Sequence, residues 1–104
     1  MSYIEFNLDI TDTKELTTRL VFDIATARNS GFALLKFIFP KDASDKFKKA
    51  LATRLRDMKK KGRIELFASS REFSSPTTEI QYLLNKYPSL ANESDSQSVI
   101  YVKL

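Results

Sequence analysis

The sequence contains no cysteine and no histidine, and these two absences exclude much of the chemistry open to a small domain. Without cysteine there is no disulfide, thiolate zinc site, iron–sulfur cluster or cysteine nucleophile. Without histidine there is no imidazole base or ligand, which excludes Ser-His-Asp catalysis and ordinary catalytic zinc. The chain has only two glycines, too few for a Gly-rich phosphate loop. The residues therefore bear on architecture and surface more than on a reaction.

Long apolar runs are also missing, and none approaches the length of a membrane span. The first residues lack the basic-then-apolar pattern of a secretion signal, so we expect a cytoplasmic protein with no membrane partner. The 104 residues are 42% hydrophobic and 29% charged, which is typical of one globular domain over residues 1–104. Eight phenylalanines and four tyrosines supply bulky side chains for its core.

The spacing of apolar residues predicts seven elements. Strict alternation over residues 3–10 predicts a strand with one buried face, and the apolar run 32–39 predicts a central strand. Helical spacing predicts helices over 13–30 and 42–61, each ended by a glycine. Residues 63–68 and 99–104 are interpreted as further strands. Ser75 and Pro76 are the predicted N-cap and first residue of a short helix that ends near residue 86.

The resulting order, βαβαβαβ, predicts an α/β fold. Strands joined through a helix run parallel with a right-handed crossover, so we expect a four-stranded, mostly parallel sheet. The prediction is a two-layer sandwich with the two long helices on one face and a short inserted third helix. The other sheet face would then show five apolar residues, Leu34, Ile38, Phe67, Val99 and Tyr101. We expect the third helix or the 69–75 loop to cover this face, and a homodimer is the alternative.

The basic residues are concentrated in one segment. The chain carries +4 overall, with a pI near 9.4, but residues 41–63 hold ten basic residues against three acids. Helical spacing places Lys49, Arg56 and Lys60 opposite the predicted buried stripe of the second helix, which makes a basic ridge able to meet phosphates. The candidate nucleic-acid contacts are Lys41, Lys46, Lys48, Lys49, Arg56, Lys59, Lys60, Lys61 and Arg63.

A purely structural interpretation of these charges stands beside the functional one. Surface helices carry Lys and Arg for solubility, and basic residues in a last turn complement the helix dipole. Arg54 falls near the apolar sector of the helix, so we expect its aliphatic chain to lie along the edge of the core or its guanidinium to pair with a carboxylate.

Three aspartates follow predicted strand ends, where open α/β sheets bind ligands. Asp9, Asp12 and Asp42 could together hold a magnesium ion and support hydrolysis of a phosphodiester. Asp12 and Asp42 also stand where helix N-caps are expected, and capping explains both without chemistry.

The order of elements resembles the small MutS-related (Smr) domain, in a bacterial variety with a long second helix and an inserted third helix. Residues 47–64 resemble the family's second helix and its turn into the third strand. Residues 70–90, which close on Tyr87-Pro88-Ser89-Leu90, resemble the insert, and residues 99–104 resemble the final strand. The resemblance implies a nucleic-acid-binding domain whose relatives often nick DNA or cleave RNA.

The chain departs from the family at both signature motifs. Leu-Asp-Leu-His-Gly becomes Leu8-Asp9-Ile10-Thr11-Asp12, and His-Gly-x-Gly becomes Phe39-Pro40-Lys41-Asp42. The missing histidine and glycines take away a proton-transfer group and a backbone cradle for phosphate. Of the family's motif residues, Asp9 alone could have a catalytic role, and no metal ligands are assigned.

Three functions follow as hypotheses. The first is a degenerate Smr-like module, a monomer or weak homodimer, that binds DNA or RNA backbone without nuclease activity or cofactor. Lys41, which replaces part of the glycine loop, would offer phosphate a side chain there. The second is an Smr-type nicking endonuclease or RNase that uses Asp9 with Mg²⁺ or Mn²⁺. The third is a protein-interaction or homodimerisation domain that uses the open sheet face.

Overall fold

The computed structural model describes residues 3–8, 13–69, 77–92 and 99–104, and these form an α/β fold. The elements are β1 (Ile4–Asn7), α1 (Leu16–Asn29), β2 (Leu34–Ile38), α2 (Asp45–Lys60), β3 (Leu66–Ser69), α3 (Thr78–Lys86), a 3₁₀ helix (Pro88–Asn92) and β4 (Val99–Lys103). This arrangement confirms the predicted order. The strands are shorter than predicted, and β1 is described only as far as Leu8.

The sheet is mixed, with spatial order β1-β2-β4-β3. β1 pairs with β2 in parallel, whereas β4 lies between β2 and β3 and is antiparallel to both. The prediction of a mostly parallel sheet is therefore wrong about pairing, although three of the four strands run in one direction. The reason lies in the last connection. Ser69 pairs with Ile100, so the chain leaves β3 and re-enters through β4 at the same end of the sheet.

One core lies between the sheet and the two long helices. Leu35 and Phe37 of β2 and Val102 of β4 are fully buried in a cluster with Leu20 of α1 and Leu51 of α2. The Phe37 ring lies 6.1 Å from that of Phe6, measured between centroids. Removal of this apolar surface from water is the main source of stability for such a layer.

A second core is formed by the strand side chains that alternate along the sheet strands with those of the first core. Leu34, Leu66 and Tyr101 are buried with Ile80 and Leu83 of α3. The third helix therefore covers much of the face predicted to be open, as expected. The two-layer arrangement is not confirmed, because the strand side chains that pack against α3 alternate along each strand with those that pack against α1 and α2. Phe67, predicted on this face, belongs instead to the first core.

The glycines that end the two long helices are those predicted from the sequence, whereas the N-cap of α2 differs from the prediction. Gly31 and Gly62 follow α1 and α2 with φ of +82° and +74°, a left-handed conformation that glycine adopts without steric cost. The cap of α2 is Ser44, whose Oγ accepts a hydrogen bond from the Phe47 N–H at 3.1 Å. Asp42, predicted as this cap, lies two residues too early.

The other two predicted caps lie outside the described residues. Asp12 was the predicted cap of the first helix and Ser75 that of the third. In the structure Glu15 stands at the N-cap position of α1 without a side-chain capping bond, and Thr77 caps α3 by accepting from the Ile80 N–H at 3.4 Å.

A charged pair joins β3 to β4 at the rim of the second core. Lys103 is 5% exposed, and its Nζ lies 2.5 Å from Oε2 of Glu65, whose side chain is half-exposed. The hydrogen bond between them is the main cause that lowers the pKa of the Glu65 carboxyl and raises the pKa of the Lys103 ammonium. Both charged forms are therefore stabilised in the folded chain.

Glu65→Gln is expected to lower the free energy of unfolding by about 1–2 kcal/mol at neutral pH, because a buried ammonium loses its charged acceptor. The folded pKa of Glu65 is below its usual 4.5, so its contribution is complete above pH 4.5 and is lost as the pH falls through the folded pKa. Urea unfolding of wild type and variant at neutral and acid pH measures this. A difference of the same size at both pH values would contradict the assignment.

Lys103→Met is the matched control. It removes the buried ammonium and leaves a carboxylate that is half-exposed to water, so no buried charge loses its partner and we expect a smaller change than for Glu65→Gln.

Candidate nucleic-acid interface

α2 is amphipathic, and its apolar stripe sets the orientation of its charges. Phe47, Leu51, Leu55 and Met58 are buried against the first core at steps of four, four and three residues. Acidic Asp45 occupies the first turn and two lysines occupy the last, the arrangement that complements the helix dipole. Of the remaining basic residues of α2, Lys46, Lys49 and Arg56 are consequently turned toward solvent.

Four exposed cations form a row along the outer face of α2, called here the α2 ridge. They are Lys46, Lys49, Arg56 and Lys60. At about 100° per residue they fall within a sector of roughly 80° centred opposite the buried stripe. With a rise of 1.5 Å per residue, the row spans about 21 Å. The predicted ridge of Lys49, Arg56 and Lys60 thus faces solvent, and Lys46, predicted beside it, extends it toward the start of the helix.

The ridge cations differ from the neighbouring lysines in whether a carboxylate pairs with them. Lys59 Nζ lies 2.6 Å from Glu79 Oε2 on α3, and Lys61 Nζ lies 3.0 Å from Asp57 Oδ2 one turn away. Among the residues that the structure describes, no carboxylate pairs with any ridge cation. Lys59 and Lys61, both predicted contacts, are therefore already neutralised, while the ridge keeps its full positive charge.

The other predicted contacts flank the ridge. Lys41 is exposed in the connection from β2 to α2, and Lys48 is half-buried on the side of α2. Arg63 is exposed just after α2 and lines a groove of about 230 Å³ between α1 and α2, together with Arg28. The Arg28 guanidinium donates a hydrogen bond to the Arg63 carbonyl.

Arg28 is a basic residue of this region that the sequence reasoning missed. It stands in the last turn of α1, where a basic residue complements the helix dipole, and is 35 residues from Arg63. Only the packing of α1 beside α2 adds its charge to the end of the ridge. No local spacing could have shown this.

Arg54 ties the two long helices together and does not join the ridge. Its Nε donates to Thr17 Oγ1 at 2.7 Å, and its Nη2 donates to the Thr13 carbonyl at 3.2 Å. Of the two alternatives expected for Arg54, a carboxylate partner is not present among the described residues. The guanidinium instead binds oxygen atoms at the start of α1, and the half-buried side chain agrees with a position at the edge of the core.

The described residues include only one of the three aspartates of the predicted acidic cluster. Asp9, the candidate catalytic residue, and Asp12 lie outside the described residues, and Asp42 is exposed. A shallow cavity of about 290 Å³ at the carboxyl ends of β1 and β2 is lined by Asn7, Leu8, Ile38, Phe39 and Pro40. Within the described ranges, no three metal-ligating side chains come together. The catalytic role of Asp9 stays a prediction.

Two further findings complete the description. In the described parts of the chain, no helix is both long and apolar enough to cross a membrane. Comparisons with family models, with curated proteins and with solved structures each give no match to this chain.

Proposed function

We propose that this chain is a nucleic-acid-binding module whose α2 ridge contacts the phosphate backbone of DNA or RNA. The observation that carries the proposal is the row of four cations without ion-pair partners among the described residues, beside two lysines that have them. A protein that only needed solubility would gain it equally from mixed charges. The concentration of one sign on a single face instead favours a polyanion.

The shape of the ridge indicates how it would bind. It lies on the convex outer face of a helix about 21 Å long between its end cations, which suits a backbone strand more than an enclosed ligand. Three of its four cations are lysines, which act as point charges on phosphate and do not read base edges. We therefore expect little sequence specificity.

The flanking cations extend the same surface. Lys41 and Lys48 lie near the N-terminal half of α2, and Arg63 with Arg28 lies beyond its C-terminal end. They would add weaker phosphate contacts at both ends. Lys59 and Lys61 would contribute less than predicted from the sequence, because each would have to give up its carboxylate to reach a phosphate.

The module fits a degenerate Smr-like domain of bacterial, cytoplasmic type. Support comes from the order of elements, the long basic second helix and the inserted third helix. The departures at residues 8–12 and 39–42 argue against nuclease activity, since the family's histidine and glycines are missing there. A fold likeness does not restore an activity whose motif residues have changed.

Salt dependence tests the proposal. Binding of a labelled DNA duplex and a labelled single strand is measured by fluorescence anisotropy in a salt series. Four phosphate contacts predict a slope of log K against log salt of about −3.6 for the duplex and about −2.8 for the single strand. Between about 50 and 200 mM salt, duplex affinity should fall roughly 150-fold. No binding at low salt, or a slope near zero, would contradict the proposal.

The same samples incubated with Mg²⁺ or Mn²⁺ distinguish binding from cleavage. The proposal expects intact nucleic acid. Cleavage that disappears in Asp9→Asn would instead establish a metal-dependent nuclease of Smr type, and the ridge would then serve to position its substrate.

A further inference from the structure

β1 forms one edge of the sheet, and half of its backbone groups point away from its neighbour. The Leu8 N–H donates to the Ile38 carbonyl at 2.7 Å, so alternate residues of β1 are turned toward β2. Glu5 and Asn7 are consequently turned outward. The Asn7 carbonyl accepts a hydrogen bond from Arg19 Nη2 at 3.0 Å, which agrees with this orientation. An edge of this kind is a template for another strand.

Above this edge lies an open groove, called here the β1 notch, of about 760 Å³. It is lined by Phe6 from the strand and by Lys14, Glu15, Thr18, Arg19, Phe22 and Asp23 from α1 and the turn before it. Phe22 is 66% exposed, the highest value among the large apolar side chains described. A bulky aromatic ring in water beside an edge strand marks an interaction surface.

The walls of the notch are held rigidly. Arg19 bridges α1 and β1, because its Nη2 binds the Asn7 carbonyl while its Nε lies 3.4 Å from Asp23 Oδ2. Asp23 is almost fully buried beneath, and burial raises the pKa of its carboxyl despite the nearby guanidinium. These contacts of Arg19 hold α1 against β1, and the exposed Phe22 ring lies on α1 one turn after Thr18.

We propose that the β1 notch is a homodimer contact, in which the β1 strands of two copies pair antiparallel about a two-fold axis and each Phe22 fills the notch of the other copy. This proposal is independent of the proposed function. The occupant is a second copy of this chain because the surface is complementary to itself in both hydrogen bonding and charge.

The register supports self-pairing. With Phe6 on the two-fold axis, Glu5 faces Asn7 of the partner subunit, so the Asn7 N–H of each copy donates to the Glu5 carbonyl of the other and no glutamates oppose each other. The Asn7 carbonyl already accepts from Arg19, and its second lone pair accepts the Glu5 N–H of the other copy. The two-fold axis also makes the α1 helices of the two copies antiparallel. Glu15 and Arg19, one turn apart on the notch wall, then meet the opposite charge on the other copy.

The rest of the fold is compatible with this assembly. A two-fold axis normal to the sheet joins the two sheets edge to edge and keeps all long helices on one face. α1 contacts β2 near the shared edge, whereas α2 contacts β3 at the far edge. The α2 ridges stay exposed at the two ends of the dimer.

Sedimentation equilibrium of the full chain over a concentration series tests the proposal. The mass should rise from 11.9 kDa toward twice that value. Phe22→Glu should weaken dimerisation at least about 30-fold, the scale of losing a central aromatic anchor. Glu5→Pro should also prevent it, since the lost N–H points away from β2 and the monomer sheet is spared. Tyr82→Glu on α3, which replaces another exposed aromatic ring, should dimerise like wild type.

Amide hydrogen exchange supplies a second measurement. The Glu5 and Asn7 amides should exchange several-fold more slowly as concentration rises, while the Phe6 amide, turned toward β2, should not change. A wild type of 11.9 kDa throughout would overturn the proposal and leave a strand of another protein as the occupant. Unweakened dimerisation of Phe22→Glu would overturn it as well.

Discussion

Arg56→Glu with Lys60→Glu is expected to weaken binding to duplex DNA by on the order of 100-fold near 0.1 M salt. Two of four phosphate contacts are lost, and each contributes about one decade through counterion release at that salt concentration. The new carboxylates also repel the backbone. The salt slope should fall from about −3.6 to about −1.8, because only two contacts remain. Both residues are exposed and without ion-pair partners among the described residues, so the fold should be unaffected.

Lys14→Glu with Lys86→Glu is the matched control. It changes two exposed lysines, one in the β1 notch and one at the end of α3, so the net charge of the chain changes equally while the α2 ridge and its flanking cations are kept. We expect only a several-fold loss, from the general field. Equal losses in the two variants would show that net charge, rather than the ridge, attracts the nucleic acid.

Phe37→Ala is expected to lower the free energy of unfolding by about 3–5 kcal/mol. Phe37 is fully buried in β2, between β1 and β4, and packs against the core shared with both long helices. A small domain has only about 5–15 kcal/mol of stability, so the variant should melt on the order of 20 °C lower. Thermal unfolding followed by circular dichroism measures this.

Phe22→Ala removes the same side chain from an exposed position and is the control for Phe37→Ala. At a protein concentration where the chain is monomeric, its stability should change by no more than about 0.5 kcal/mol. A loss for Phe37→Ala as small as that of the control would mean that β2 is not the centre of the core.

The elements that could be predicted from the sequence are those governed by local periodicity. The buried stripe of α2 follows from the spacing of Phe47, Leu51 and Met58, and the outward direction of Lys49 and Arg56 follows from the same geometry. Gly31 and Gly62 end the helices because the left-handed conformation required there is without steric cost for glycine. These features need no knowledge of distant parts of the chain.

The features that escaped prediction depend on contacts between residues far apart in sequence. The alternation of residues 99–104 identifies a strand but not its neighbours, so it could not place β4 between β2 and β3. The position of Arg54 near the apolar sector could not identify its partners, Thr13 and Thr17, which it binds across the interface of two helices. Ser44 rather than Asp42 caps α2 because the helix begins at Asp45, three residues later than predicted.

By itself, the sequence determined the order of elements, the buried faces of the helices and the presence of a basic ridge, because hydrophobic periodicity and charge are properties of neighbouring residues. The tertiary structure alone decided that Lys59 is paired. Lys59 is neutralised because α3 brings Glu79 beside it, whereas Lys60, the next residue, points to solvent. It also decided that β1 is an edge with Phe22 above it, since strand order depends on long-range pairing that no local pattern encodes.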